Sequence, residues 1–358
     1  MEIGVINMQT RNEDFLPTTN YGIARVKFDV LDQSYIGGFV SNLVNRDNYN
    51  RSLGLDGVYT TNSIFGDQTL SIGANIAKTD EKHGAKNSWA GRFYVNFPND
   101  LIRQFLSYRF IQGNFNPGIG FVSRTGIQSL SYNFEVSPRV EWGAVNRLNF
   151  SLINSNFEYD GHGNLLAANM SFEPVRISTI QGDRLYFRVN RTFDFVQEEY
   201  TIFDSTDIPA GKYWYTRYRT GLHTGRGRAL QVDFNYSTGN YYTGNRNSYG
   251  SSINWSINKH LNIFSDYSYN RISLSNGNFT TNEVGTRLKY DFSTKINSSI
   301  FAQWNNEQNL VNINYRIKWE PKVGSDLYLV INHLLSTEGT LQTKDIAILA
   351  KVVWLFII

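Results

Sequence analysis

Five histidines are the first residues to weigh for chemistry: His83, His162, His223, His260 and His333. No two of them have a metal-ligand spacing such as H-x-x-x-H. Nucleophilic catalysis needs a base, a nucleophile and an orienting acid gathered at one place. His223 adjoins Thr224 and His162 lies close to Asp160, but such neighbours arise by chance in a chain this rich in Ser, Thr, Asp and Asn. No G-x-S-x-G sequence sharpens the case. Gly225-Arg226-Gly227 looks like a phosphate loop only in composition, because no helix follows to supply an anion-binding N-terminus; it reads as a turn. The chain has no cysteine, which excludes thiolate metal sites and disulfides. No catalytic, cofactor-binding or metal-ligating residue is assigned.

Charged residues within alternating segments carry a different message. Leu230, Val232, Phe234 and Tyr236 alternate with Gln231, Asp233, Asn235 and Ser237. Val311, Ile313, Tyr315, Ile317 and Trp319 alternate with Asn312, Asn314, Arg316 and Lys318. Leu185, Phe187 and Val189 alternate with Tyr186, Arg188 and Asn190. Period two is the signature of strands with one apolar and one polar face. On a barrel reading the polar face lines the lumen, which places Arg188, Asp233, Asp266, Arg287, Lys289, Asp291, Arg316 and Lys318 inward. Their mixed signs suggest ladders of paired charges that fill or narrow the lumen, or charges that solvate an open face.

The elements that must carry these residues are strands throughout. Only 41% of the 358 residues are apolar and the mean hydropathy is −0.37, yet aromatic residues reach 15%. That mix suits pleated strands with two unlike faces. The alternation predicts strands near 2–10, 19–30, 33–43, 52–63, 68–78, 87–97, 101–113, 126–136, 140–156, 163–174, 182–192, 212–224, 228–238, 247–258, 261–271, 279–292, 295–304, 308–319, 324–334 and 346–356. Most run slightly above the roughly 9–11 residues that cross a bilayer at a tilt, whereas soluble strands average about 5–6. The longest apolar run, Val352 to Ile358, is far too short for a membrane-spanning helix. Expected turns such as Ser137-Pro138-Arg139 alternate with longer polar stretches at 11–18, 44–51, 79–86, 114–125, 193–211, 239–246, 272–278 and 335–345. The fold expected is therefore all-β: a transmembrane up-and-down antiparallel β-barrel of about 20 strands (range 16–22), with short periplasmic turns and longer extracellular loops.

Residues 1–358 read as one outer-membrane barrel domain, the C-terminal part of a longer protein. Met1 to Val5 has neither a basic start nor an apolar stretch, so a targeting segment is expected upstream. Trp142, Trp214, Trp319 and Trp354 are candidate membrane-interface anchors. Trp354 and Phe356 on the last strand resemble the aromatic signal by which bacterial barrels are recognised for assembly, although Ile357 and Ile358 follow. Asn116-Pro117-Gly118 is a strong turn signal. Ile119, Phe121 and Val122 beyond it give the loop apolar residues to lay on a rim or into the lumen, so Asn116, Pro117, Ile119 and Phe121 are a candidate constriction. The net charge is +3 with no basic block, which offers nothing to nucleic acid.

Several segments together resemble one bacterial family: EIGVINMQT (2–10), YGIARVKFDVLDQSYIGG (21–38), NFNPGIGFVSR (114–124), IPAGKYWYTRYR (208–219), STGNYYTGNR (237–246) and FTTNEVGTRLKYDFSTK (279–295). They are similar, in order and spacing, to the domain of unknown function 5916 family of Bacteroidota. Gly118 stands where the family pattern has an acidic residue. The resemblance covers nearly the whole chain. It implies an outer-membrane barrel that follows a domain similar to family 9 carbohydrate-binding modules, and a strand pair before Ile3. The partners implied are outer-membrane lipid, the barrel-assembly machinery, and glycans held through a domain outside this chain; no cofactor is implied. Three readings of function are carried: a barrel that anchors or cooperates with that upstream domain, in glycan binding or in transport across the outer membrane; an outer-membrane enzyme with its site on the extracellular rim; and a soluble all-β binding protein.

Overall fold

The computed structural model describes residues 1–13, 17–64, 66–84, 88–203 and 206–355. No helix forms among them, and the chain is an antiparallel up-and-down sheet of 21 strands. A separate two-stranded hairpin completes the set. Period-two sequence dictates this outcome, because backbone N–H and C=O groups in extended segments find partners only in a neighbouring strand.

The chain divides into two compact units. One comprises Met1–Pro138, Asn149–Pro174 and Arg191–Phe195. It holds β1 (Glu2–Gln9), β2 (Thr19–Val30), β3 (Ser34–Asn45), β4 (Tyr49–Ile64), β5 (Gln68–Glu81), β6 (Ser88–Pro98), β7 (Ile102–Ile111) and β8 (Ile127–Val136). Each pairs with the next in antiparallel register. The other unit comprises Arg139–Leu148, Val175–Asn190 and Val196–Ile358. Its short β9 (Arg139–Trp142) precedes three strands with residues in both units: β10 (Val145–Asp160), β11 (Leu165–Thr179) and β12 (Arg184–Val196). The hairpin β13 (Tyr200–Phe203) and β14 (Thr206–Ile208) follows. Then come β15 (Gly211–His223), β16 (Leu230–Tyr241), β17 (Gly244–Ser256), β18 (Leu261–Leu274), β19 (Gly277–Asp291), β20 (Ile296–Asn305), β21 (Leu310–Lys322), β22 (Ser325–Ser336) and β23 (Gln342–Val353). From β15 onward these also pair in succession.

Burial is inverted relative to a water-soluble sheet. On β4 Leu53 and Leu55 on one face are 56% and 62% exposed, while Asn50 and Ser52 on the opposite face are each 5% exposed. In the second unit Leu230, Phe234, Ile253, Trp255 and Tyr267 are exposed in the same way. Trp142, Trp214, Trp319 and Trp354 are all exposed. Aromatic rows run across this apolar face: Tyr236, Tyr249 and Tyr269 sit on adjacent strands with ring centroids 4.8 Å and 6.0 Å apart. Cross-strand aromatic pairs of this kind hold register.

Two segments expected to be long loops are tight hairpins. Residues 239–246 continue β16 and β17 and turn at Tyr242-Thr243, and 272–278 continue β18 and β19 and turn at Ser275-Asn276. Their Asn, Ser, Thr and Gly content suggests a loop, but on a sheet whose second face is polar those residue types are strand residues. The stretch 44–51 is likewise mostly strand, and β4 and β10 reach 16 residues each. The predicted strand 140–156 is broken at Gly143, whose positive φ of 61° turns β9 into β10.

Glycines on the polar face make room for aromatic rings from the next strand. A Cβ on Gly54 would lie 2.1 Å from Phe39 Cε1. Gly54→Val is therefore expected to displace the Phe39 ring and destabilise the fold by about 1–3 kcal/mol, read as a lower urea midpoint by tryptophan fluorescence.

Candidate functional site

Strand register places the predicted polar-face residues. Asp233 lies opposite Ser252, which lies opposite Asp266, which lies opposite Gly285. Two residues along β19 from Gly285 comes Arg287, then Lys289 and Asp291 on the same face. Lys289 pairs with Ser299 and that with Arg316, and Asp291 pairs with Asn297 and that with Lys318. Tyr186 covers Gly221 on the face that also carries His223 and Asp233, so Arg188, two residues on, shares it. The structure thus brings all eight to one polar face within the second unit. Charge ladders form there: Lys289 bonds Asp291 at 3.0 Å, and Lys318 bonds both Glu320 and Asp326 at 3.0 Å. Arg287 lies over Phe301 and Arg188 over Tyr186.

The most concentrated group on this face is one the sequence reading did not single out. Arg217, Arg219 and Arg246 line a polar cavity of about 410 Å³ together with Asn235, Ser237, Ser248, Ser268 and Asn270; Asp233 and Asp266 stand at its other end. Arg217 donates to the hydroxyls of Ser237 and Ser248. Arg246 donates to Asn270 Oδ1 at 2.8 Å and to Ser248 Oγ at 3.1 Å, and its guanidinium stacks on Tyr241. Arg217 and Arg219 occupy alternate positions in the segment 215–219, the same pattern that marks Arg188, so the signal was present in the sequence.

A hairpin packs beside this group on the same face. The hairpin β13–β14 packs Ile202 and Ile208 against Ile272 and Leu274 on the polar face of β18, and Ile208 is wholly buried. Phe203 stacks on Phe279 at 4.7 Å, Asn276 donates to the Asp207 carbonyl at 2.7 Å, and Tyr213 donates to the Pro209 carbonyl at 2.8 Å. Tyr215, Tyr241 and Tyr242 form an aromatic cluster between this small core and the arginines.

In the first unit the segment predicted as a constriction also lies on the polar face. Asn50 donates from its amide to the Asn116 carbonyl at 2.9 Å, the Asn116 N–H reaches Thr79 Oγ1 at 3.4 Å, and Ser52 donates to the Pro117 carbonyl at 3.5 Å. Phe115 is buried, Ile119 is half-buried, and Arg124 bonds Glu158 at 2.6 Å. The segment lies on the polar face of β4 and β5, held mostly through its backbone; Phe121, 87% exposed, takes no part. Trp354 lies beyond the end of β23 with the Lys322 ammonium over its ring, and Phe356 lies outside the described residues.

The histidine neighbourhoods resolve into structural contacts. At the β10–β11 turn it is the backbone N–H of His162, not its ring, that donates to Asp160 at 2.8 Å. Donation from the Asn164 side-chain amide, with the Asn164 and His162 backbone amides, holds the Asp160 carboxyl below the usual carboxylate range. The His223 ring faces Asp233, while the Thr224 hydroxyl accepts the Val232 amide at 2.8 Å. Among the described residues no group of three His, Cys, Asp or Glu side chains could hold a metal ion. No known family matches the chain, and no curated protein is detectably similar to it.

Gly118 sits at a turn that needs glycine. Its φ is +56°, and a Cβ there would lie 2.4 Å from Asn50 Oδ1. Gly118→Asp is expected to strain the turn by about 1–2 kcal/mol and to undock the loop. Limited proteolysis of folded protein should then cut within 112–126 at a rate several times that of the parent chain.

Proposed function

We propose that this chain is an outer-membrane β-barrel of a Gram-negative bacterium, with its apolar face against lipid and its polar face lining a lumen. The observation that carries the reading is the inverted burial. Each large apolar side chain left in water forgoes about 1.5–3 kcal/mol of burial, and the sheet repeats that loss on nearly every strand. Lipid removes the cost. Strands of 10–16 residues reach across a bilayer, and closure removes the exposed edges that β1 and β23 otherwise present. Trp319 and Trp354 supply interface anchors, and Trp354 with Phe356 the signal for the assembly machinery.

On this reading the barrel is a solute conduit or platform rather than an enzyme. The inward loops at 112–126 and 197–210 narrow the lumen, and the charge ladders line it. The relation to the domain of unknown function 5916 family, and with it the anchoring of an upstream glycan-binding domain, belongs to the same proposal.

The test uses the full chain refolded in detergent. It should show a heat-dependent shift in gel mobility and discrete ohmic steps in planar bilayers. Replacing 198–209 by a short Gly-Ser linker should enlarge those steps. A chain that stays monodisperse in water without detergent, with no mobility shift, would overturn the reading.

A further inference from the structure

We infer that the arginine group of β15–β17 is a binding site for a small hydroxylated solute carrying one oxyanion, a sugar acid in chemical class. The inference rests on the proposed lumen only in that solvent must reach the polar face. Lys289 and Lys318 on this face are neutralised by carboxylates, Lys289 by Asp291 and Lys318 by Glu320 and Asp326, whereas among the described residues Arg287 and Arg316 have no carboxylate within ion-pair distance. Arg217, Arg219 and Arg246 are set apart because they line one cavity together. Among the described residues none has a carboxylate within ion-pair distance, and Arg217 and Arg246 bond only hydroxyls and one amide oxygen. The Nε atoms of Arg217 and Arg219 are buried and have no acceptor. Three guanidinium groups clustered without a carboxylate partner repel one another, and an oxyanion in the adjoining 410 Å³ cavity would offset that repulsion.

The remainder of the cavity defines the rest of the ligand. Ser237, Ser248 and Asn270 form the row beside Arg219, and Asn235 and Ser268 fall in the next. Asp233 and Asp266 lie one row further, about 14 Å along the strand from Ser237. Hydroxyl and amide groups match a ligand with several hydroxyls, and the two carboxylates accept hydroxyl protons while repelling a second negative charge. The cavity therefore has a cationic end, a neutral polar middle and an anionic end, in a volume suited to a small solute.

The test is calorimetric titration of the full chain in detergent, with glucuronate as hydroxylated carboxylate, glucose as neutral counterpart and sulfate as bare oxyanion. Glucuronate should bind at least about tenfold more tightly than either of the others. Arg217→Gln and Arg219→Gln should each weaken glucuronate by about tenfold, while Lys295→Gln, in the β19–β20 turn, leaves it unchanged. If Arg217→Gln loses the heat-dependent mobility shift, Arg219→Gln and Arg217→Lys decide the matter. No glucuronate binding by folded chain, equal binding of glucose or of sulfate, or full binding by the arginine variants would overturn the site and leave the barrel reading untouched. Absence of the mobility shift in the parent chain would instead remove the barrel reading, and the same titration would still judge the site.

Discussion

Lateral backbone hydrogen bonding is the constraint on which the rest of this structure depends. The N–H and C=O groups of a strand project sideways in the plane of the sheet, so each finds its partner in a neighbouring strand. Successive antiparallel hairpins do this with little chain spent between strands, which is why turns such as Tyr242-Thr243 and Ser275-Asn276 are so tight. Once the ladder is set, the pleat decides everything else. Alternate side chains go to opposite faces, and a slip by one residue would put Arg217 and Asp233 among Tyr218 and Phe234.

The polar face then has to be satisfied from within. Small residues there, Ser, Thr, Asn and Gly, allow loops to come close. In the first unit Asn50, Ser52 and Thr79 receive the backbone of Asn116 and Pro117. In the second, the polar face turns apolar at Ile272 and Leu274, and the β13–β14 hairpin covers that patch. The two loops use different physics. One is held by hydrogen bonds to its main chain, which accommodates Gly118 at φ +56°; the other is held by burial of Ile208 and stacking of Phe203 on Phe279.

Much of this was legible in the sequence. Period-two alternation located nearly every strand, because a sheet with two unlike faces writes its geometry into each segment. It also placed Asp233, Asp266, Arg287, Lys289, Asp291, Arg316 and Lys318 on a common face, since register between hairpin neighbours preserves parity. Polar composition misled at 239–246 and 272–278, where Asn and Ser belong to strands. The β13–β14 hairpin was not legible, since Ile202 and Ile208 acquire meaning only through Ile272 and Leu274, far away in the chain. The arginine group needed pairing as well as alternation: Arg246 meets Arg217 only because Gly239 lies between them in the ladder.

The orientation of the two faces is the claim most open to direct measurement. Single cysteines along β17, from Ser251 to Trp255, have no native thiol to compete with, and each can carry a spin label in lipid bilayers. Collision with oxygen, which concentrates in lipid, should peak at Ser251, Ile253 and Trp255. Collision with a water-soluble nickel chelate should peak at Ser252 and Asn254. Nickel accessibility at all five positions, with no alternation, would mean that water bathes the apolar face and would contradict a lipid-facing sheet.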